Sequence, residues 1–241
     1  MAIIEGGVST ALLEVGAATK AARIEARPID VGALGAYQVS YTSGTMAAGL
    51  GAAAPIFSVR WGDATRTMLV RRVSLLAQNA GTAFTAGLTL FDIIVARAFT
   101  ASDTGGTAVV LTGNQTKKRT SFGSSLVTDM RGSATATLSA GTRTLDTLAL
   151  ATVFGAVQAT ATNFIFLPAS GHPMTAAAIA ATGTYGDGGL ALLEPEISNS
   201  WPLVLVQNEG FVIRATVPAT GTWRFNVQVE WAEVLTTAGY N

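Results

Sequence analysis

The sequence contains no cysteine and a single histidine, His172. Without cysteine, the chain can form neither a disulfide framework nor a thiolate metal site. One histidine cannot build a two-histidine metal centre. The N-terminal residues carry no basic segment ahead of an apolar one, so they do not predict a secretory signal. Disulfide-stapled proteins and thiolate zinc proteins are therefore excluded.

Charge is also scarce, because Asp, Glu, Lys and Arg make up 12% of the chain against about 25% in an average globular protein. The 15 basic and 15 acidic residues cancel, so nothing electrostatic favours nucleic acid or a membrane as a partner. The longest charge-free stretch, between Asp146 and Asp187, is interrupted by polar residues, proline and glycine, which argues against a transmembrane helix. A surface so poor in charge indicates contact with other molecules, including copies of this chain.

From residue 37 onward the sequence has the pattern of short strands separated by Gly-, Asn- and Pro-containing turns, about eight to eleven strands in all. We therefore predict an all-β domain over residues 37–241, a jelly-roll-like or other Greek-key β-sandwich. Residues 1–36 have weak helical spacing that ends at Arg27-Pro28. We predict that they form an N-terminal arm, extended or partly helical.

The last strand has the clearest pattern in the chain. One face is predicted to hold Trp223, Phe225, Val227, Val229 and Trp231, and the other Arg224, Asn226, Gln228 and Glu230. A long strand with an unbroken apolar face is typical of the centre of a core. Residues 203–207, 211–217 and 222–234 are predicted to form a three-stranded meander.

Other segments give further predictions of strands and faces. The alternation predicts three shared faces: Leu69, Arg71, Val73 and Leu75; Phe57, Val59 and Trp61; and Phe91, Ile93, Val95, Arg97 and Phe99. We predict a short strand over residues 134–141. We predict that residues 147–157 and 163–169 form either buried strands or short helical turns. The Ala/Gly segments 44–55 and 172–189 can bury little, so we predict loops or segments laid along a neighbouring molecule.

No group of residues has the spacing of a catalytic or ligand-binding motif. His172 could act with Ser170 and either Asp146 or Asp187 only if the fold brought them together, and no G-x-S-x-G motif precedes them. We interpret His172 as an exposed loop residue. The sequence therefore predicts a protein that is not an enzyme, with no catalytic, cofactor-binding or metal-binding residue.

Two carboxylate pairs could in principle serve glycoside hydrolysis, which needs acids facing each other across a cleft. Glu194 and Glu196 flank a proline and share a strand face, whereas Glu230 and Glu233 lie on opposite faces of the last strand. We interpret both pairs as solvated or salt-bridged charges.

Three charged or glycine-rich motifs have ordinary structural explanations. Asp63 lies between Arg60 and Arg66, which predicts an Asp–Arg pair at a turn. Residues 117–119 (KKR) form a short basic cluster on a predicted loop. Residues 186–189 (GDGG) lack the spacing of a calcium or phosphate loop.

Three segments resemble virion proteins of tailed bacteriophages. They are "PIFSVRWGD" at residues 55–63, "EGFVIRATVPATGTWRFNVQVEWAEV" at residues 209–234, and the N-terminal "EGGVSTALLEV" with "AARIEARPIDVGALGAYQVS". This resemblance implies a jelly-roll or similar sandwich that decorates the capsid surface as a cement protein. Such proteins form oligomers at symmetry points of the shell, and no site residues come with the resemblance.

The sequence and the resemblance together lead us to expect a structural protein of the phage particle. Its expected partners are itself, as a dimer or trimer, and the major capsid protein, with the arm 1–36 and the Ala/Gly segments as contacts. It would be made in the host cytoplasm and located on the capsid surface of the virion. The alternatives are a tail or head fibre or adaptor protein anchored by the arm, and a carbohydrate-binding β-sandwich module. The last needs exposed aromatic side chains, for which the candidates are Trp61, Tyr185, Trp201 and Tyr240.

Overall fold

A computed structural model describes residues 5–6, 11–12, 34–47, 49–50, 52–112, 116–157, 165–166, 191–193 and 201–236. Sixteen strands lie within these residues. They are β1 (Glu5–Gly6), β2 (Ala11–Leu12), β3 (Ala36–Thr42), β4 (Met46–Ala47), β5 (Ala54–Trp61), β6 (Arg66–Asn79), β7 (Gly87–Ala101), β8 (Thr107–Ala108), β9 (Asp129–Gly132), β10 (Thr142–Leu145), β11 (Ala151–Val157), β12 (Ile165–Phe166), β13 (Ala191–Leu193), β14 (Leu203–Leu205), β15 (Glu209–Thr216) and β16 (Thr222–Leu235).

The strands form two seven-stranded antiparallel sheets and a separate β1–β2 pair. The first sheet has the order β10-β7-β15-β5-β9-β8, and β11 also pairs with β7. The second sheet has the order β12-β6-β16-β3, with β13 and β14 also on β6 and β4 on β16. The two sheets pack against each other, so the predicted all-β sandwich is confirmed. Among the described residues, no helix is long and apolar enough to span a bilayer.

One central core joins the two sheets. Side chains of β3, β6 and β16 meet side chains of β5, β7 and β15 in a single apolar cluster. Trp223, Phe225, Val227, Val229 and Trp231 are all in this core and at most 1% exposed. The predicted inner face of the last strand is therefore confirmed, and so are Phe57, Val59 and Trp61 in β5. Burial of this many aromatic side chains is the main stabilising contribution that the fold offers.

One face prediction in β6 is wrong, because the strand contains an extra residue. Its pairing with β16 jumps from Arg72 to Val70, which makes Arg71 the residue of a β-bulge. A bulge shifts the alternation of side chains by one position. Val70 therefore joins Val73 in the central core, whereas Leu69 packs outside it.

A similar correction applies to β7. Ala98 has a positive φ of 49°, and the register of β7 against β10 shifts beside it. Phe91 contributes to the central core as predicted, but Phe99 packs with Ile94 in a separate cluster. The irregular backbone at Ala98 is what moves Phe99 away from the face of Phe91.

The predicted meander is also wrong. Strands β14 and β16 both pair with β6 in the second sheet, but β15, which lies between them in sequence, pairs with β5 and β7 in the first. The chain therefore crosses between the sheets twice. Turn residues indicate that the chain reverses, but they do not say which sheet receives the next strand.

Two short segments also differ from the prediction. Residues 134–141 form no strand and contribute one isolated bridge, from Ser139 to Thr104. Residues 44–55 are more than a loop, because β4 pairs with β16 and Met46 is fully buried in the central core. The predicted arm, apart from β1, β2 and residues 34–36, lies outside the described residues, as does segment 172–189.

Candidate interaction surfaces

Every carboxylate in residues 34–157 and 201–236 is held by a hydrogen bond or an ion pair. These residues are Asp63, Asp92, Asp103, Asp129, Asp146, Glu209, Glu230 and Glu233. All except Asp63 contact an arginine or a lysine. No group of three or more potential metal ligands occurs among the described residues. The acids of this part of the chain thus all have partners within the domain.

Glu233 continues the inner row of β16 and is fully buried. Its Oε1 accepts hydrogen bonds from Ser125 Oγ and from the Leu126 N–H, both at 2.8 Å, and its Oε2 lies 3.1 Å from Arg66 Nη1. Burial raises the pKa of Glu233 above its usual value in spite of these bonds and the charge of Arg66. The carboxylate of Glu233, on β16, therefore links the loop before β9 to Arg66 of β6.

Tyr37 lies at the same end of the core as Glu233. Its ring stacks on Trp231 with the centroids 5.4 Å apart, and its hydroxyl donates to the carbonyl oxygen of Gly123 at 3.2 Å. Burial, together with the nearby charge of Glu233, raises the pKa of Tyr37 to about 12.

The placement of Glu230 and Glu233 on opposite faces of β16 is confirmed. Glu230 forms ion pairs with Lys118 and, at 3.7 Å, with Arg71 Nη1. Glu233 binds Arg66 instead. The two carboxylates do not face each other, so the geometry of a glycosidase pair is absent at this site.

The predicted ion pair of Asp63 is wrong. Its Oδ1 accepts hydrogen bonds from the N–H and Oγ1 of Thr65 and from the N–H of Arg66, all at 2.8 Å. The guanidinium of Arg66 points to Glu233, and that of Arg60 donates to the carbonyl oxygen of Phe99. Burial alone would raise the pKa of Asp63, but its hydrogen bonds and the charge of Arg66 lower it. Asp63 therefore shapes the turn between β5 and β6.

A buried ion pair that we did not predict fixes the loop before β10. Arg143 donates to both carboxylate oxygens of Asp103, at 2.7 and 3.0 Å, and the Gly141 N–H donates to the same group at 2.8 Å. The guanidinium also lies 5.6 Å from the ring centre of Phe99. The sequence separation of 40 residues between the partners gave no local signal.

Asp146, the acid considered for a triad with His172, pairs with Arg97 at 3.3 Å. The same arginine binds Glu209, and its bonds to these two carboxylates raise the pKa of Arg97. The remaining residues of the possible sites lie outside the described residues: Ser170, His172, Asp187, Glu194, Glu196 and segment 186–189.

The basic cluster 117–119 lies on a loop, as predicted, and its residues contact the domain itself. The backbone of Lys117 forms an isolated antiparallel bridge with that of Tyr37. The side chain of Lys118 pairs with Glu230, and the guanidinium of Arg119 lies 5.4 Å from the ring centre of Phe122. The backbone of this cluster therefore extends the edge of β3.

Part of the outer face of the second sheet is polar. Asn226 donates to Ser40 Oγ at 2.9 Å and to Thr42 Oγ1 at 2.8 Å, and Arg224 donates to Thr45 Oγ1. These cross-strand bonds satisfy the side chains within the sheet. The predicted polar row of β16, from Arg224 to Glu230, is confirmed, whereas Leu69, Ala232 and Val234 form a small buried apolar cluster at one end of the same face.

At the edge of the first sheet that carries β10 and β11, three leucine side chains are exposed. Leu148 is 82% exposed, Leu150 46% and Leu88 70%. Leu148 lies between β10 and β11, where the pairing with β7 is interrupted. Leu88 is a residue of β7 and lies opposite Ala156 of β11. We call these three side chains, with the backbone of residues 147–153, the leucine edge. Exposed apolar side chains along an edge strand are typical of an interaction surface.

The sequence did not single out the leucine edge. Residues 147–157 were predicted as a buried strand or a helical turn; residues 151–157 are indeed a strand, but the leucines before it are exposed. The absence of charge and proline from 147–157 was the available signal. That signal cannot tell a buried strand from an exposed edge.

Comparison of the chain with protein-family models, with curated proteins and with solved structures found no match.

Proposed function

We propose that this chain is a non-enzymatic structural protein of a phage particle, which decorates and stabilises the capsid by oligomeric packing. Its partners in this role are copies of itself and the major capsid protein, and its location is the capsid surface. Cementing of this kind stabilises a shell because binding across subunits adds free energy to the assembled state alone.

The observation that carries the proposal is the use of the charged residues. All eight carboxylates of residues 34–157 and 201–236 are engaged in internal bonds. General acid–base chemistry and metal-assisted chemistry both need such groups to face a substrate. In this domain the carboxylates instead hold loops in place, which suits a protein with a structural role.

The segments that resemble virion proteins support the same role. Residues 55–63 and 209–234 contribute β5, β15 and β16, and β5 pairs directly with β15. All three strands contribute to the central core. The resemblance thus lies in the residues that make the sandwich rigid, and rigidity is what a decoration protein requires.

A carbohydrate-binding module is a second candidate, because one exposed aromatic favours it. Trp201 is 72% exposed, whereas Trp61 is buried and donates its Nε1–H to the carbonyl oxygen of Arg66 at 3.0 Å. Tyr185 and Tyr240 lie outside the described residues. The module would need to bind sugars through Trp201, which a glycan titration followed by tryptophan fluorescence tests against Trp201→Ala.

The copy number of the chain in purified phage particles tests the proposal. Mass spectrometry with isotope-labelled peptides should give a ratio to the major shell protein near one or a simple fraction of it. A ratio lower by one to two orders of magnitude contradicts decoration and favours a fibre, adaptor or connector anchored by the N-terminal arm. Absence from the particles overturns a virion role.

A further inference from the structure

Residues 116–128 form a strap that joins the two sheets at one end of the core. At its start, the N–H of Lys118 donates to the carbonyl oxygen of Ala36 on β3 at 2.9 Å. At its end, the N–H of Thr128 donates to the carbonyl oxygen of Arg60 on β5 at 3.1 Å. Because β3 belongs to the second sheet and β5 to the first, the strap passes from one sheet to the other.

Between these ends, two buried side chains of the second sheet hold the strap. The hydroxyl of Tyr37 donates to the carbonyl oxygen of Gly123. The carboxylate of Glu233 accepts hydrogen bonds from Ser125 Oγ and from the Leu126 N–H. Since Glu233 is fully buried, the strap is attached to a carboxylate that has no contact with water.

The burial of Glu233 is only partly offset by its cationic partner. One hydrogen bond, from Arg66 Nη1 to Oε2 at 3.1 Å, joins the two side chains. The side chain of Arg66 is 29% exposed, so solvent screens its charge, whereas the carboxylate has lost all of its hydration. Burial accordingly raises the pKa of Glu233 above 4.5, even though three hydrogen bonds and the charge of Arg66 act in the opposite direction.

In the described part of the chain, two charged or titratable side chains face Glu233, Arg66 on β6 and Tyr37 on β3. The pKa of Tyr37 is about 12, so its hydroxyl keeps its proton between pH 4.5 and pH 8. The groups of the strap that bind the carboxylate, Ser125 Oγ and the Leu126 N–H, carry no charge. A change of pH in this range therefore acts on this end of the strap through Glu233 itself.

We propose that Glu233 is a pH-sensitive latch, which holds the strap closed at acidic pH and releases it increasingly as the pH rises toward 8. An ionised carboxylate is more stable in water than in this buried position, so loss of the proton to solvent favours a state in which the strap has lifted and Glu233 is hydrated. The rest of the two sheets stays paired in that state. This conformational change needs no partner and does not depend on the proposed function.

Hydrogen–deuterium exchange of the unmodified full-length chain measures the opening. Exchange of the Leu126 N–H requires the loss of its bond to Glu233. After correction for the intrinsic effect of pH on amide exchange, the rate in peptides that cover the strap should rise at least about threefold between pH 5 and pH 8.

The loop of residues 80–86 is the matched control within the same experiment. Its amide groups bind the neutral side chains of Asn79, Thr220 and Thr222. The corrected exchange of this loop should therefore stay constant with pH. An equal rise in both segments shows a general loosening of the domain and overturns the latch, as does a strap whose corrected exchange is constant.

Glu233→Gln tests whether the carboxylate is the group that titrates. The amide oxygen of glutamine can still accept from the Leu126 N–H, but it does not ionise. The rise in exchange of the strap should disappear in this variant, while circular dichroism shows that it remains folded. A rise that persists in Glu233→Gln assigns the titration to another group and overturns the proposal.

Thiol labelling gives a second measurement that keeps Glu233 in place, and the absence of native cysteine makes each introduced thiol unique. Val127, in the strap, and Val217, outside it, both belong to the central core and are 8% and 7% exposed. We expect the maleimide labelling rate of Val127→Cys, relative to the exposed Thr120→Cys at the same pH, to rise from pH 5 to pH 8. The relative rate of Val217→Cys should not change. Equal behaviour of the two valine positions overturns the latch.

Discussion

The inner row of β16 and the leucine edge are both apolar, but the side chains of the first are buried and the leucines of the second are exposed. The alternate residues of β16 from Trp223 to Trp231 are all apolar, and residues 147–157 are apolar apart from two threonines and contain no charge. The row of β16 is at most 1% exposed, whereas Leu148 is 82% exposed. The difference lies in their neighbours, because β16 has β6 on one side and β3 on the other, while β11 pairs only with β7 among the described strands.

An apolar segment is therefore buried or exposed according to how many of its sides neighbouring strands cover. A central strand under a second sheet loses water on every side, which is where apolar burial stabilises most. An edge strand keeps one row of backbone groups and some side chains in solvent. Three predictions break or sharpen this comparison.

The largest effect is expected at the two tryptophans of the inner row. Trp223 packs against Phe91 and Phe225, and Trp231 stacks on Tyr37. Replacing either tryptophan by alanine should lower the free energy of unfolding by about 3–5 kcal/mol, because it removes a large buried side chain and leaves a cavity. Urea denaturation followed by circular dichroism measures the change. Near-neutral results for both would mean that this row is an interface and not the core.

The second prediction concerns the acid at the end of the same row. Burial raises the pKa of Glu233 above its usual value of 4.5, so the folded state holds this proton more tightly than the unfolded chain does. The stabilisation from that proton is complete below pH 4.5 and is lost as the pH rises through the folded-state pKa. One proton can change the unfolding free energy by at most about 1.4 kcal/mol per pH unit.

Glu233→Gln should remove this dependence. The difference in unfolding free energy between the variant and the unmodified chain should therefore shift in favour of the variant between pH 4.5 and pH 8. Denaturation curves at several pH values give this difference, and a difference that is constant with pH contradicts the expected direction. Glu233→Ala should cost about 1–3 kcal/mol, because the partly buried N–H of Leu126 then lacks an acceptor.

The smallest effect is expected at the edge. Leu148→Ala should change the unfolding free energy by less than about 0.5 kcal/mol, because the side chain is largely in solvent. The measurement is urea denaturation at protein concentrations too low for self-association, alongside Trp223→Ala. A loss comparable with that of the tryptophan variant would place Leu148 in the core and remove the contrast.

Local alternation was a good guide where the backbone is regular and failed at irregular positions. It placed Trp223 and Phe225 correctly, but it missed the shift at Arg71 that turns Leu69 away from the central core. A bulge depends on the pairing between two strands, which the sequence of one strand does not contain. The Asp103–Arg143 pair and the exposure of Leu148 were missed for the same kind of reason, since both depend on distant neighbours.

By itself, the sequence determined the all-β class, the inner and outer rows of β16 and the absence of any disulfide. These features depend on residue type and on a period of two residues, which are local properties. Only the tertiary structure decided that β15 crosses to the opposite sheet, that Glu233 is buried against Ser125, and that the leucine edge faces outward. Each of these requires knowing which residues distant in sequence become neighbours, because burial and pairing are properties of those neighbours.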